Sequence, residues 1–193
     1  MKKGEESRQR LIKCAAELFW QNGYSATGIS EILKQTGLPK GSFYFYFKSK
    51  DELAVAVTEY YQEILLEQFQ TSSQGKDWEN FIKEIFDYLT RRTTGQNFSG
   101  CPYAVMGMET ALSKPKVAVV FMEGLKKLNT IFYTVLLQSG LSKTHAQILS
   151  ERLLSIYQGE LLLGRINGDI FYLENARKNM IEMYREYRTF HKI

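Results

Sequence analysis

TGISEILKQTGLPKGSFYFYFKSKDEL, residues Thr27 to Leu53, reads as two short helices joined by a glycine turn, followed by a third that starts at a capped serine. Thr27 has the chemistry of an N-cap, and Ile29, Ile32 and Leu33 give the three-and-four spacing of a short packed helix. Gly37 is the residue best able to turn the chain through a positive φ between two helices. Pro39 has a helix-compatible φ and forces Leu38 to be extended, so the second helix is expected to begin at Pro39 or Lys40. Phe43 and Phe47 lie four apart and face inward, which turns Lys40, Ser42, Tyr44 and Tyr46 toward solvent. A helix that presents a lysine, a serine and a tyrosine, with Gly41 allowing close backbone approach, suits the major groove of DNA better than a core. Ser49 and Glu52 form a capping box for the next helix, and Lys48 and Lys50 flank it as cations placed to meet phosphates.

Charge follows the same division. The formal net charge of +4 is modest for 193 residues, but residues 1–50 hold nine Lys or Arg against four Glu, and residues 51–193 hold 16 against 17. All of the excess positive charge lies in the first 50 residues. Counterion release on a phosphate backbone requires that concentration, whereas a protein that coats membranes would spread its charge more widely.

Gly23, Tyr24, Thr27, Ile29, Ile32, Gly37, Gly41, Tyr44, Phe47, Lys50 and Leu53 fall in the order and spacing of the N-terminal domain of TetR-family transcriptional regulators, which residues 7–55 resemble. The resemblance implies that Thr27, Tyr44 and Lys50 contact phosphates and that Lys40, Gly41, Ser42 and Tyr46 sit at or near base edges. The sequence departs from the family pattern at Pro39, Gly28 and Leu33, where a hydroxyl cap, a second hydroxyl and a small residue are usual.

Helix 1 is expected over Glu5–Gln21, with Leu11, Ala15, Leu18 and Phe19 as its stripe. A long helix follows Ser49 to about Gln70 and is stopped by Thr71–Gly75. Asp77 caps an amphipathic helix to Arg92 carrying Trp78, Phe81, Ile82, Ile85, Phe86 and Leu89, and Thr93–Ser99 is polar and loop-like. Cys101-Pro102 opens a helix through Leu112, another runs to Gly140, and two more cover Ser142–Arg165 and Leu173–Thr189. Period-two alternation is nowhere sustained, so the fold class is all-α. The domains are a helix-turn-helix head at 1–50 and a helical effector-binding and dimerisation body at 51–193.

The helix over Ser142–Arg165 carries apolar residues on two faces and must be covered twice. In the resembled family the last two helices pair with their copies, which implies a homodimer interface at Leu154, Tyr157, Leu161, Gly164, Met180 and Tyr184, and two heads reading a near-palindromic operator. The family's divergent C-terminal domain usually binds a small molecule. By that resemblance Tyr60, Phe86, Tyr103, Met106, Phe121 and Phe132 are candidates to line a pocket for a small apolar effector. The glycine-cysteine start of the helix at Pro102 is similar to a subset that includes repressors of multidrug-efflux and flavonoid-responsive genes, which implies a planar apolar ligand. Cys101, at a helix N-terminus, is also a candidate thiol sensor of oxidants or electrophiles.

No GxSxG, P-loop or HExxH pattern is present, so an enzyme is not expected. Two cysteines and two histidines, none paired at ligand spacing, give no metal site, and no cofactor is expected. No run reaches the length of a membrane-spanning helix and no apolar h-region follows the basic start, so a soluble, cytoplasmic protein is expected. The function this implies is a ligand-released repressor. Activation is the other outcome such a protein can have, because the position of the operator relative to a promoter is not written in the chain.

Overall fold

The computed structural model describes residues 3–93 and 98–192, so residues 94–97 of the expected loop at Thr93–Ser99 lie outside the described residues. Every described regular element is a helix: α1 (Lys3–Asn22), α2 (Ile29–Thr36), α3 (Lys40–Tyr46), α4 (Lys50–Tyr61), a π-helical turn (Gln62–Leu66), α5 (Glu67–Ser73), α6 (Trp78–Arg92), α7 (Pro102–Thr110), α8 (Pro115–Gln138), α9 (Lys143–Asn167) and α10 (Phe171–His191). The chain is all-α, as its periodicity predicts.

Local chemistry explains most boundaries. Gly37 ends α2 at φ 66° and Gly168 ends α9 at φ 68°, both in the left-handed region where a side chain is penalised. The Ser49 hydroxyl accepts from Glu52 N at 3.1 Å, and the Glu52 carboxylate accepts from Lys48 N at 2.8 Å, one residue earlier than in the usual reciprocal box. Asp77 accepts from Asn80 N at 2.9 Å to start α6. Thr27 does not cap α2; the cap position belongs to Gly28, with no side-chain bond. The expected long helix after Ser49 is found, running on to Ser73 through the π turn, for which the sequence carries no marker.

Packing divides the chain into two compact units, residues 1–64 with 102–124, and residues 65–101 with 125–193. The line does not fall at residue 50, because α4 packs on α1 and α7 joins them. In the first unit Leu11, Ala15, Phe19, Ile32, Phe43, Phe47, Leu53 and Val57 are buried, and the Tyr61 hydroxyl donates to the Ala16 carbonyl. The second unit is built on aromatics: Phe132 meets Phe69, Trp78, Phe81 and Tyr157 at ring-centroid distances of 5.3 to 6.4 Å. The Trp78 indole donates to the Met180 carbonyl at 3.2 Å, so the largest buried side chain also has its one polar atom satisfied. No helix among the described residues is long and apolar enough to cross a membrane.

Candidate nucleic-acid interface

A helix advances about 100° per residue, so Phe43 and Phe47, both buried, leave the opposite side of α3 to Gly41 and Phe45. Lys40 and Tyr44 form one flank of that outward face, with the Lys40 ammonium 5.9 Å from the centre of the Tyr44 ring, and Ser42 and Tyr46 form the other. Tyr44 is 51% exposed. Tyr46 is only partly exposed and its hydroxyl lies by Gly4 of α1. Phe45 is 78% exposed. It is not among the residues expected to face DNA, and the angular positions of Phe43 and Phe47 place it at the centre of the outward face.

Two of the expected phosphate contacts are differently employed. Thr27 is 0% exposed and its hydroxyl donates to the Gly23 carbonyl at 2.9 Å, with the Leu18 carbonyl at 3.3 Å. Its side chain therefore braces the α1–α2 turn from inside and presents nothing to a phosphate. The Lys50 ammonium donates to the carbonyls of Tyr24 (2.9 Å) and Thr27 (3.1 Å) and lies 4.2 Å from the centre of the Tyr24 ring. One of its three protons remains for an external acceptor. Burial pushes this lysine below its ordinary value, against the pull of Asp51 and Glu109. Lys48 is exposed.

Around that lysine the Tyr24 hydroxyl donates to Asp51, which also pairs with Lys114 at 3.0 Å. The hydrogen bond from Tyr24, then that from Lys114, hold the Asp51 carboxyl below the usual range, and burial, then the same bond to Asp51, raises the Tyr24 phenol. Glu109 of α7 accepts from Ser25 N at 3.0 Å and lies so near Gly23 that a Cβ there would be 2.4 Å from its carboxylate. The turn that carries Lys50's carbonyl partners is thus held by α7, a partner that spacing along residues 27–53 could not reveal.

The residues expected to bind an effector are mostly buried. In the first unit Tyr103, Met106 and Phe121 are in the core, with Tyr103 stacked edge-on against Tyr61 at 6.2 Å, and Tyr60 is partly exposed. In the second, Phe86 and Phe132 each meet the Tyr157 ring at 6.1 Å. None of the six lines the shallow groove of about 630 Å³ between α6 and α10, whose walls are Lys83, Glu174, Arg177, Glu182, Arg185 and their neighbours. Cys101 is buried and its sulfur accepts from the Gln158 amide at 3.5 Å. The Gln158 carbonyl oxygen is buried without a donor among the described residues.

The expected dimer residues need correction. Tyr157, Leu161, Gly164, Met180 and Tyr184 are buried within the chain's own α6, α9 and α10 packing, and only Leu154 is partly exposed. The face of α9 left uncovered is the opposite one, with Ile148, Gly159, Leu162, Leu163 and Ile166 within one 100° sector, Ile166 being 74% exposed.

A basic three-helix head whose third helix turns a lysine, a glycine and two aromatics outward defines a helix-turn-helix DNA-binding protein. Residues 11–57 match the model of bacterial regulatory proteins of the tetR family, and residues 78–179 match that of the LmrA/YxaF-like transcriptional regulator C-terminal domain. The chain belongs to the TetR family of transcriptional regulators. It is 29% identical to the uncharacterized HTH-type transcriptional regulator YxaF of Bacillus subtilis over 170 residues, covering 85% of this chain and 87% of that protein. Identity to the HTH-type transcriptional regulator LmrA of the same organism is 25% over 164 residues, covering 82% and 86%. The fold is shared with the reduced form of E. coli NemR, at a TM-score of 0.76 and 22% identity over 90% of this chain and 95% of that one.

Proposed function

We propose that this regulator is a homodimeric repressor that acts in the cytoplasm on a near-palindromic operator and is released from it by a small apolar molecule. Residues 1–50 read the DNA and residues 51–193 sense and dimerise. The observation that carries the reading is α3, whose outward face holds Lys40, Gly41 and Tyr44 on a head with nine Lys or Arg against four Glu. The uncovered apolar face of α9 joins two copies, with Gly159 exposed at its centre and open enough for close approach. The effector is sensed within residues 51–193, and the Gln158 oxygen, buried without a donor among the described residues, is a point at which it can donate a hydrogen bond. A coupling of about 1–3 kcal/mol between effector and operator would change occupancy about 5 to 150-fold.

The test is a fluorescence-anisotropy titration on DNA flanking the protein's own gene, at several salt concentrations. Lys48→Ala should weaken binding to all sequences alike and reduce the salt slope by about 1, while Lys40→Ala should change the ranking of operator variants. Binding that ranks all sequences equally in the wild type would sink the proposal.

A second reading, release through Cys101, is favoured by the amide donor that Gln158 places on its sulfur, since a hydrogen bond to sulfur stabilises a thiolate. NemR, similar in fold, was solved in a reduced form. N-ethylmaleimide should then release the wild type from DNA and leave Cys101→Ser bound.

A further inference from the structure

We infer that Phe45 reads thymine: its ring contacts the C5-methyl group of a thymine in the major groove and makes that base a specificity position in each half-site. This rests on α3 being the element that reads the operator, as proposed above.

Phe45 offers no hydrogen bond to a base or a phosphate, and at 78% exposure it contributes little to the fold. Its only recorded ring partner among the described residues is its neighbour Tyr46, edge-on at 4.9 Å. In the major groove only thymine presents an apolar group, so an apolar side chain at the centre of a reading face has one base to recognise. The glycine four residues earlier supports this. Side chains on a helix lean toward its N-terminus, over the residue four positions earlier, and here that residue is Gly41. A Cβ at Gly41 would meet nothing within 4 Å, and its φ is not in the left-handed region, so neither packing nor backbone geometry inside the chain requires a glycine there. That open space lies on the same outward face as Phe45. The edge of a thymine can approach the backbone there and bring its methyl group to the Phe45 ring, with the cations of the head holding the flanking phosphates.

The experiment first maps the half-site by footprinting wild-type protein on DNA flanking its own gene. Each thymine of the half-site is then replaced singly by deoxyuridine, which removes the methyl and keeps the base pair. At one or two positions wild-type affinity should fall about three- to five-fold, the value of one buried methyl group. Phe45→Ala should bind the thymine and deoxyuridine duplexes equally. Circular dichroism should show Phe45→Ala folded. Deoxyuridine without effect at every position, or a penalty that persists undiminished in Phe45→Ala, would overturn the inference while leaving operator reading by α3 intact. Absence of any footprint would overturn both.

Discussion

The outward face of α3 and the second packing unit treat aromatic side chains in opposite ways. In α3, Tyr44 and Phe45 stand in solvent with few partners; in the second unit Trp78, Phe81, Phe86, Phe132 and Tyr157 are buried against one another. An aromatic that contributes nothing to its own chain is available to something outside it, and a buried one holds the chain together. Helical spacing alone does not separate the two, since both kinds recur at intervals of three and four.

The sharpest way to break this contrast is a pair of truncations. Phe132→Ala should cost about 3–5 kcal/mol, as expected for an aromatic removed from a packed core, and Phe45→Ala about 0.5 kcal/mol or less. Urea denaturation of both variants checks it, and equal losses would abolish the distinction. A glycine pair should give opposite signs. At Gly124 a Cβ would lie 2.4 Å from the buried Tyr103 ring, so Gly124→Ala should destabilise by about 1–3 kcal/mol; at Gly41 it meets nothing, so Gly41→Ala should stabilise by up to about 1 kcal/mol. Thermal midpoints of the two variants decide whether α3 is as free of internal constraint as it looks.

The smallest effect concerns the charged cluster at Asp51 beside the head's buried aromatics. Asp51 has its carboxyl lowered by Tyr24 and Lys114, so its contribution is full above the unfolded value near 4 and is lost as pH falls through the lower folded one. The gap in melting temperature between wild type and Asp51→Asn should therefore be widest at neutral pH and should close below about pH 4. A gap that stayed constant in acid would mean the Asp51 cluster does not steady the head.

The head was legible because each of its signals is local. Gly37, the Pro39 start, the Phe43–Phe47 pair and the Ser49 cap act within a few residues of themselves, and all are found as read. What needed the fold were choices between two faces or two partners. Thr27 has a capping side chain, but the Gly23 carbonyl, four residues back, takes its proton. Helix α9 is apolar on both sides, and only its packing against neighbouring helices, α10 and the rings of Phe69, Phe86 and Phe132 among them, determines that Tyr157 and Leu161 are inside and Leu162 and Ile166 outside. The hold of Glu109 on Ser25 spans 84 residues, beyond any pattern along the chain. Phe45 follows from angle alone once Phe43 and Phe47 face inward, and it stands exposed there.

Nothing in the folded chain depends on the side chains at positions 41 and 45, so they can be exchanged without penalty to folding. On the proposed reading of α3, a regulator built this way can acquire a new operator after gene duplication by drift at two codons, with the rest of the chain inherited unchanged. Libraries randomised at these two positions are where altered-specificity descendants should be sought first.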